Sequence, residues 1–222
     1  MPENSRNSIL QRLQRAERLP SADRPGLPAL HEDHLDTAQL RERFTTQFEA
    51  QGGVCCPVAD WTALYARLSE IFQAEGITRT MAAEDDVLTP LNLGQWGQRS
   101  GVAVVTPTSF QDRTAYTRAV FDQVQAGITG VDFAVAESGT LILSHDRDQA
   151  RLVSLAPLVH IAVVPADRII GTYDTAIETL FTDGRRPSQV TFITGPSMTG
   201  DIQGTMFKGM HGPQKIFALV VG

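Results

Sequence analysis

The stretch that decides the fold runs from Gly127 to Val164. It reads Gly127-Ile-Thr-Gly-Val-Asp-Phe-Ala-Val-Ala-Glu-Ser-Gly-Thr-Leu-Ile-Leu143, a charged turn, then Leu152-Val-Ser-Leu-Ala-Pro157 and Val159-His-Ile-Ala-Val-Val164. Phe133–Ala136 and Leu141–Leu143 are short apolar runs with strand composition. Between them stand Glu137, Ser138, Gly139 and Thr140. A carboxylate buried without partners costs several kcal/mol, and glycine permits positive φ or close backbone approach. The four residues therefore read either as a bend between strands or as a polar site at the edge of a core.

Outward from this stretch, helical and strand patterns alternate. Leu35–Gln51 is a helix with Leu40, Phe44 and Phe48 on one face, stopped by Gly52-Gly53. A strand at Val54–Val58 follows, then a helix from Trp61 to Ala74 capped by Asp60, with Leu64, Leu68, Ile71 and Phe72 as its buried face. Gly76 ends that helix, and Ile77–Met81 and Val102–Thr106 are further strands. Ser109–Gln125 is ambiguous: Tyr116, Val120, Phe121 and Val124 suit a helix, but the central stretch begins directly after it. On the far side come a helix at Tyr173–Phe181, a strand at Val190–Thr194, a glycine-bearing turn at Gly195–Gly200, a short helix at Asp201–Phe207 and a last strand at Ile216–Val221. This rhythm predicts one α/β domain over residues 35–222, an open, mostly parallel sheet with helices on both faces. Residues 1–34 form a separate appendage, a helix at Ser5–Leu19 and a Pro-rich connector.

Composition removes several classes of function. The chain has 222 residues and a net charge of −6 spread along its length, which argues against a nucleic-acid surface. No apolar run approaches the roughly 20 residues that span a bilayer, and the polar start lacks the apolar core of a signal peptide. The expectation is a cytoplasmic protein without a transmembrane segment. The two cysteines, Cys55 and Cys56, are adjacent, which disfavours a disulfide, and two thiols are too few for an iron–sulfur cluster. No cofactor is expected, and the purified chain should be colourless. His31 and His34 have a spacing that suits a metal on a helix, but beside Glu32, Asp33 and Asp36 they read as a solvated helix start; no metal is expected. Glu84-Asp85-Asp86 reads as a solvated acidic turn, and His160, mid-strand between Val159 and Ile161, as a satisfied core histidine.

A second chemical feature is the strand–Gly195-Pro196-Ser197–helix unit. A turn that opens a helix aims N–H groups at one point, where the helix dipole favours an anion. Ser197 and Thr199 add hydroxyls, whereas Asp201 in the first helical turn is able to satisfy those donors itself. His211, between Gly209 and Gly212 in a loop, is freer for proton transfer than a histidine on a helix face.

Four motifs carry a family resemblance: Ile128–Leu141, Leu155–Val163, Thr194–Ile202 and Lys208–Pro213. In this order they resemble the lactate utilization protein C family over roughly residues 100 to 222, with departures at Met198 and Gly200. The resemblance implies the fold of the superfamily of ribose-5-phosphate isomerase, glucosamine-6-phosphate deaminase and CoA transferases. It implies a role in oxidising L-lactate to pyruvate beside iron–sulfur partner proteins. CoA transferases of that superfamily use a glutamate near a glycine as nucleophile, and Glu137-Ser138-Gly139 is similar in character.

Two expectations follow. In one, the protein is a non-redox subunit of a lactate-oxidising system that binds a small anionic ligand or its iron–sulfur partners. In the other, it is an enzyme on an acyl, sugar-phosphate or folate-like substrate, with Glu137 as nucleophile or base. Both use one pocket at the carboxyl ends of the strands. Glu137, Ser138, Thr140, Ser197 and Thr199 line it, and Arg151 and His211 stand at its rim. Gly195, Pro196, Asp201 and Gly212 shape the loops that hold the anion.

Overall fold

The computed structural model describes residues 3–15, 35–145, 150–182, 184, 187–202 and 205–222. The chain divides into two compact units, Met1–His31 and Glu32–Gly222. In the first, α1 spans Glu3–Arg15, overlapping the helix expected at Ser5–Leu19 and beginning two residues before it. The connector and His31 and His34 lie outside the described residues.

In the second unit the helices are α2 (Thr37–Ala50), α3 (Trp61–Glu75), α4 (Leu93–Ser100), α5 (Arg113–Asp122), α6 (Leu152–Leu155) and α7 (Tyr173–Thr182). The strands are β1 (Val54–Val58), β2 (Arg79–Ala82), β3 (Ala103–Val105), β4 (Ala126–Gly130), β5 (Phe133–Val135), β6 (Thr140–His145), β7 (Val159–Pro165), β8 (Ile169–Ile170), β9 (Gln189–Ile193), β10 (Met198–Ile202), β11 (Thr205–Lys208) and β12 (Lys215–Val221). Local chemistry fixes several boundaries. Asp36 and Gln39 form a reciprocal capping box at α2, with both bonds 2.9 Å. Asp60 accepts the N–H groups of Thr62 and Ala63 at the start of α3, and Gly76 closes that helix in the left-handed conformation.

Six strands form a wholly parallel sheet in the order β1-β12-β7-β4-β2-β3. Strands buried on both faces read as continuous apolar runs, as β7 and β12 do. On one face Cys56, Ile128, Ile161, Val163, Phe217 and Leu219 meet α3 and α4 through Leu64, Leu68, Phe72 and Trp96. On the other, Ala162, Val164, Ile216, Ala218 and Val220 meet Phe44 and Phe48 of α2, while Met81 packs with α5 and α6. Burying each such phenylalanine contributes about 1.5–3 kcal/mol. The α/β class with a mostly parallel sheet and helices on both faces is thus the observed one.

The sequence pattern did not separate a second sheet, β8-β5-β6-β9, in which only the β5–β8 pair is parallel. Leu141, Leu143 and Ile193 of this sheet join the core shared with α2. Val135 and Ile142 turn outward to Ala176 and Leu180 of α7. The helix expected at Asp201–Phe207 is absent: β10 and β11 form an antiparallel hairpin with an irregularity between Thr199 and Ile202. His160 is a core histidine as expected but only half satisfied: its Nε2 is hydrogen-bonded to Thr129 Oγ1 at 2.9 Å, while its buried Nδ1 has no partner among the described residues. Burial, with His145 adding to it, pushes its pKa down to about 3, so the ring is neutral. No described helix is long and apolar enough to cross a membrane.

Candidate functional site

The Glu137–Thr140 turn is held by its glycine. Gly139 adopts φ +65°, and a Cβ there would lie 2.6 Å from Phe48 Cα on the last turns of α2. Gly195, at φ +84°, presses in the same way on the backbone of Gln51 at the end of that helix. Two loops far apart in sequence therefore rest on one helix end, and only glycine permits either approach.

A hydroxyl hub joins them directly. Buried Thr140 Oγ1 is hydrogen-bonded to Ser138 Oγ at 2.9 Å, to Tyr173 Oη at 2.6 Å and to Thr194 Oγ1 at 2.6 Å. A threonine hydroxyl has one hydrogen and two lone pairs, so these contacts exhaust it. Burial pushes the Tyr173 phenol up, but hydrogen bonds with Ser138, Thr140 and Thr194 outweigh it and its pKa lies below the ordinary tyrosine value. The Tyr173 ring also packs against Phe192, with centroids 5.7 Å apart.

Glu137 is half-buried. Its Oε1 accepts the backbone N–H of Tyr173 at 2.8 Å, the first residue of α7. A carboxylate at a helix N-terminus satisfies an orphan donor and complements the dipole, worth about 0.3–1 kcal/mol. Its own N–H donates to Gly171 O at 3.1 Å. The carboxylate thus positions α7, while its second oxygen has no hydrogen-bond partner among the described residues.

The Gly195–Ser197 turn differs from expectation in one respect that matters chemically. No helix begins after it, so no helix dipole serves an anion there. The N–H of Ser197 donates to Pro213 O at 2.9 Å, and Ser197 O accepts from Gly209 at 2.7 Å. Pro196 is buried, and Gly212 packs beside the Ser197 side chain and Leu155 O. Gln214 just beyond donates to Leu158 O at 2.8 Å. This loop pair therefore stands at the amino ends of β7 and β12, not at the carboxyl ends where the pocket was expected. His211 is exposed in the same loop. Thr199 lies in β10, paired with Phe207, and Asp201 is a strand residue of β10 rather than part of a first helical turn.

Arg151 lies elsewhere. It donates to Gln189 Oε1, and Gln189 pairs with His145 at the end of β6 opposite Thr140. The structure brings together Glu137, Ser138 and Thr140 with the head of the Gly195 loop, and leaves Arg151 at the far end of the small sheet.

Sequence reasoning missed three residues here. Tyr173 and Thr194 complete the hub, and Lys208 brings its Nζ against Gly52 beside Pro196. Lys208 opens a motif already singled out, and its charge was the available signal. Tyr173 was read as a helix residue, with nothing to tell that its hydroxyl reaches Thr140.

With fold and geometry in place, comparisons with known proteins give the class. A family model for the LUD domain matches residues 41–221. The chain belongs to the LUD domain family. It is 30% identical over 166 residues to a protein of Deinococcus radiodurans called lactate utilization protein C, covering 74% of this chain and 76% of that one. A protein of the same name from Anoxybacillus flavithermus is 30% identical over 154 residues, covering 69% and 68%. An uncharacterized protein of Neisseria meningitidis is 24% identical over 98% of this chain and 94% of its own. Among solved structures, a DUF162 family protein from Deinococcus radiodurans superposes with a TM-score of 0.61 at 25% identity, covering 85% of this chain and 99% of that one.

Proposed function

We propose that the protein serves lactate utilization as a non-redox subunit that holds a small anionic ligand and docks iron–sulfur partner proteins. The family membership and the name its relatives carry support the role in lactate utilization. The observation that carries the ligand site is the Thr140–Thr194 hydrogen bond, which locks two of the resembling motifs together on the end of α2. Beside it stand the hydroxyls of Ser138 and Tyr173, of which at least one is spent as a donor to Thr140, and the second oxygen of Glu137 as an acceptor; on the adjoining loops Ser197 faces Gly212 and Lys208 Nζ lies by Gly52 as the cation of the proposed site. A small hydroxy-carboxylate matches that set: its carboxylate pairs with the ammonium and its hydroxyl donates to Glu137. Lys208 takes the place of the absent helix dipole as the source of positive potential.

The test is growth on L-lactate. Deleting the gene should abolish growth and the wild-type gene should restore it, with lactate-dependent dye reduction in extracts following the same pattern. Glu137→Gln keeps an acceptor for the Tyr173 N–H and should fold normally while failing to restore growth. Growth of the deletion strain at the wild-type rate would overturn the role. Full rescue by Glu137→Gln would leave Glu137 only as the partner of α7.

A further inference from the structure

At the opposite end of the parallel sheet, outside the carboxyl ends of β1, β7 and β12, lies a cleft of about 780 Å³. Trp61, Tyr65, Leu91, Asp86 and Arg168 give it its character. It adjoins the point where the sheet changes direction: the chain leaves β2 toward β3 at one edge, but leaves β4 toward β7 on the other side. Such switch points are where open α/β sheets form ligand crevices.

Arg168 spans this place. Its Nη1 donates to Val131 O, just past β4, at 2.8 Å and to Asp86 Oδ1, just past β2, at 3.3 Å; its Nη2 donates to Asp86 Oδ2. Among the described residues one Nη2 hydrogen remains after these bonds, and the Asp86 side chain, 72% exposed, keeps outward lone pairs. The pair thus presents a donor beside an acceptor. Asp86 and Asp167 outnumber Arg168 among the charged lining groups, so the cleft carries no excess of positive charge for a phosphate or free carboxylate. A neutral ligand edge with an amino donor next to a ring-nitrogen acceptor fits both groups.

The walls fit the body of such a ligand. Trp61, the first residue of α3, is 43% exposed and lines the cleft. Tyr65 is fixed one turn on, its hydroxyl donating to Leu91 O at 2.6 Å. Pro90, Val87 and Pro165 complete an apolar surround. Ligand sites commonly combine about 300–1,000 Å³ of mostly apolar space with a few fixed polar groups.

We propose that this cleft binds an amino-substituted heteroaromatic ligand of nucleoside size, its ring on Trp61 and its amino edge on the Asp86–Arg168 pair. The site is separate from the Glu137 group and does not depend on the lactate reading.

Adenosine and cytidine are the probes, titrated into the full-length protein by calorimetry and by quenching of tryptophan fluorescence. Saturable binding of at least one is expected. Purine riboside, which lacks the amino group, should bind more than tenfold more weakly than adenosine if adenosine is the binder, and pyrimidin-2-one riboside, which carries hydrogen in place of the 4-amino group, likewise if cytidine is. Trp61→Leu and Asp86→Ala should each weaken binding at least fivefold while the protein still unfolds cooperatively with a midpoint close to that of the wild type, whereas Glu137→Gln should leave binding unaltered. The proposal is overturned if neither nucleoside saturates, if loss of the amino group costs nothing, or if neither cleft substitution weakens binding.

Discussion

Two acidic turns, Glu84-Asp85-Asp86 and Glu137-Ser138-Gly139-Thr140, look like opposites in the sequence and behave alike in the fold. The first reads as solvated because three carboxylates stand together. Yet Asp85 is largely enclosed: its Oδ1 accepts Val87 and Leu88 N–H groups at 3.1 and 3.0 Å, and its Oδ2 accepts Gly130 N–H at 2.8 Å. Burial raises its pKa despite those bonds and the neighbouring Asp86 adds to the rise. The second turn reads as a site, yet its carboxylate anchors the start of α7. In both, a side-chain carboxylate stitches the end of one strand to a distant backbone. The difference is what remains: the Glu137 turn keeps, among the described residues, an oxygen without a hydrogen-bond partner beside a hydroxyl hub, and the Asp85 turn keeps Asp86 facing a cleft.

The largest effect should come from the glycine of the second turn. Gly139→Ala must displace α2 and hold alanine at positive φ, so a loss of about 3–5 kcal/mol is expected in urea unfolding. A loss under about 1 kcal/mol would mean the turn does not press on α2. Next, Asp85→Ala leaves three backbone donors without their acceptor and should cost about 2–3 kcal/mol. An unchanged midpoint would return Asp85 to a solvated role and restore the contrast between the turns.

The pH dependence sharpens the same point. Asp85 holds its proton more tightly folded than unfolded, so above its ordinary value of 3.8 the folded state binds more protons than the unfolded chain. Its contribution to stability therefore falls as pH rises through the raised folded pKa, by at most about 1.4 kcal/mol per pH unit. Subtracting the profile of Asp85→Asn from that of the wild type isolates this slope; a difference of opposite sign would contradict it. Thr140→Val removes the hub and should cost about 1–2 kcal/mol, with the Tyr173 phenol returning toward its ordinary pKa in a spectrophotometric titration. Smallest is Asp86→Ala, an exposed ion pair to Arg168, where about 0.2–1 kcal/mol is expected in the same unfolding assay.

What the sequence made legible follows from which forces are local. The apolar runs at Val159–Val164 and Ile216–Val221 announce their strands because they are buried on both sides, and Val54–Val58, at the sheet edge, does so through Cys55, Cys56 and Val58 alone. Phe44 and Phe48, four residues apart, announce a helix face. The second sheet is invisible in the same pattern, because Phe133–Ala136 and Leu141–Leu143 are equally apolar whichever sheet they join. The hairpin β10–β11 was misread as a helix because its strands are too short for either period to show, and its pairing of Thr199 with Phe207 is a cross-strand fact. Helix α4 escaped notice because Gly94 and Gly97 dilute it, although Leu93 and Trp96 are buried on one face. At the site, Glu137, Ser138 and Thr140 were found from composition. Tyr173, Thr194 and the misplacement of Arg151 depend on distances no local pattern encodes.

The position of β12 carries a consequence for how the molecule is made. Lys215–Val221 lies between β1 and β7, and Val54 of β1 pairs with Phe217. The earliest strand of the sheet thus waits for the latest one, and its edge stays unpaired throughout the synthesis of everything between them. Folding nuclei rich in such distant pairings form slowly, and unpaired strand edges recruit other chains in the meantime. The yield of soluble protein in a cell should therefore depend on how quickly Lys215–Val221 is synthesised and inserted between β1 and β7, more than on the strength of any contact made before it.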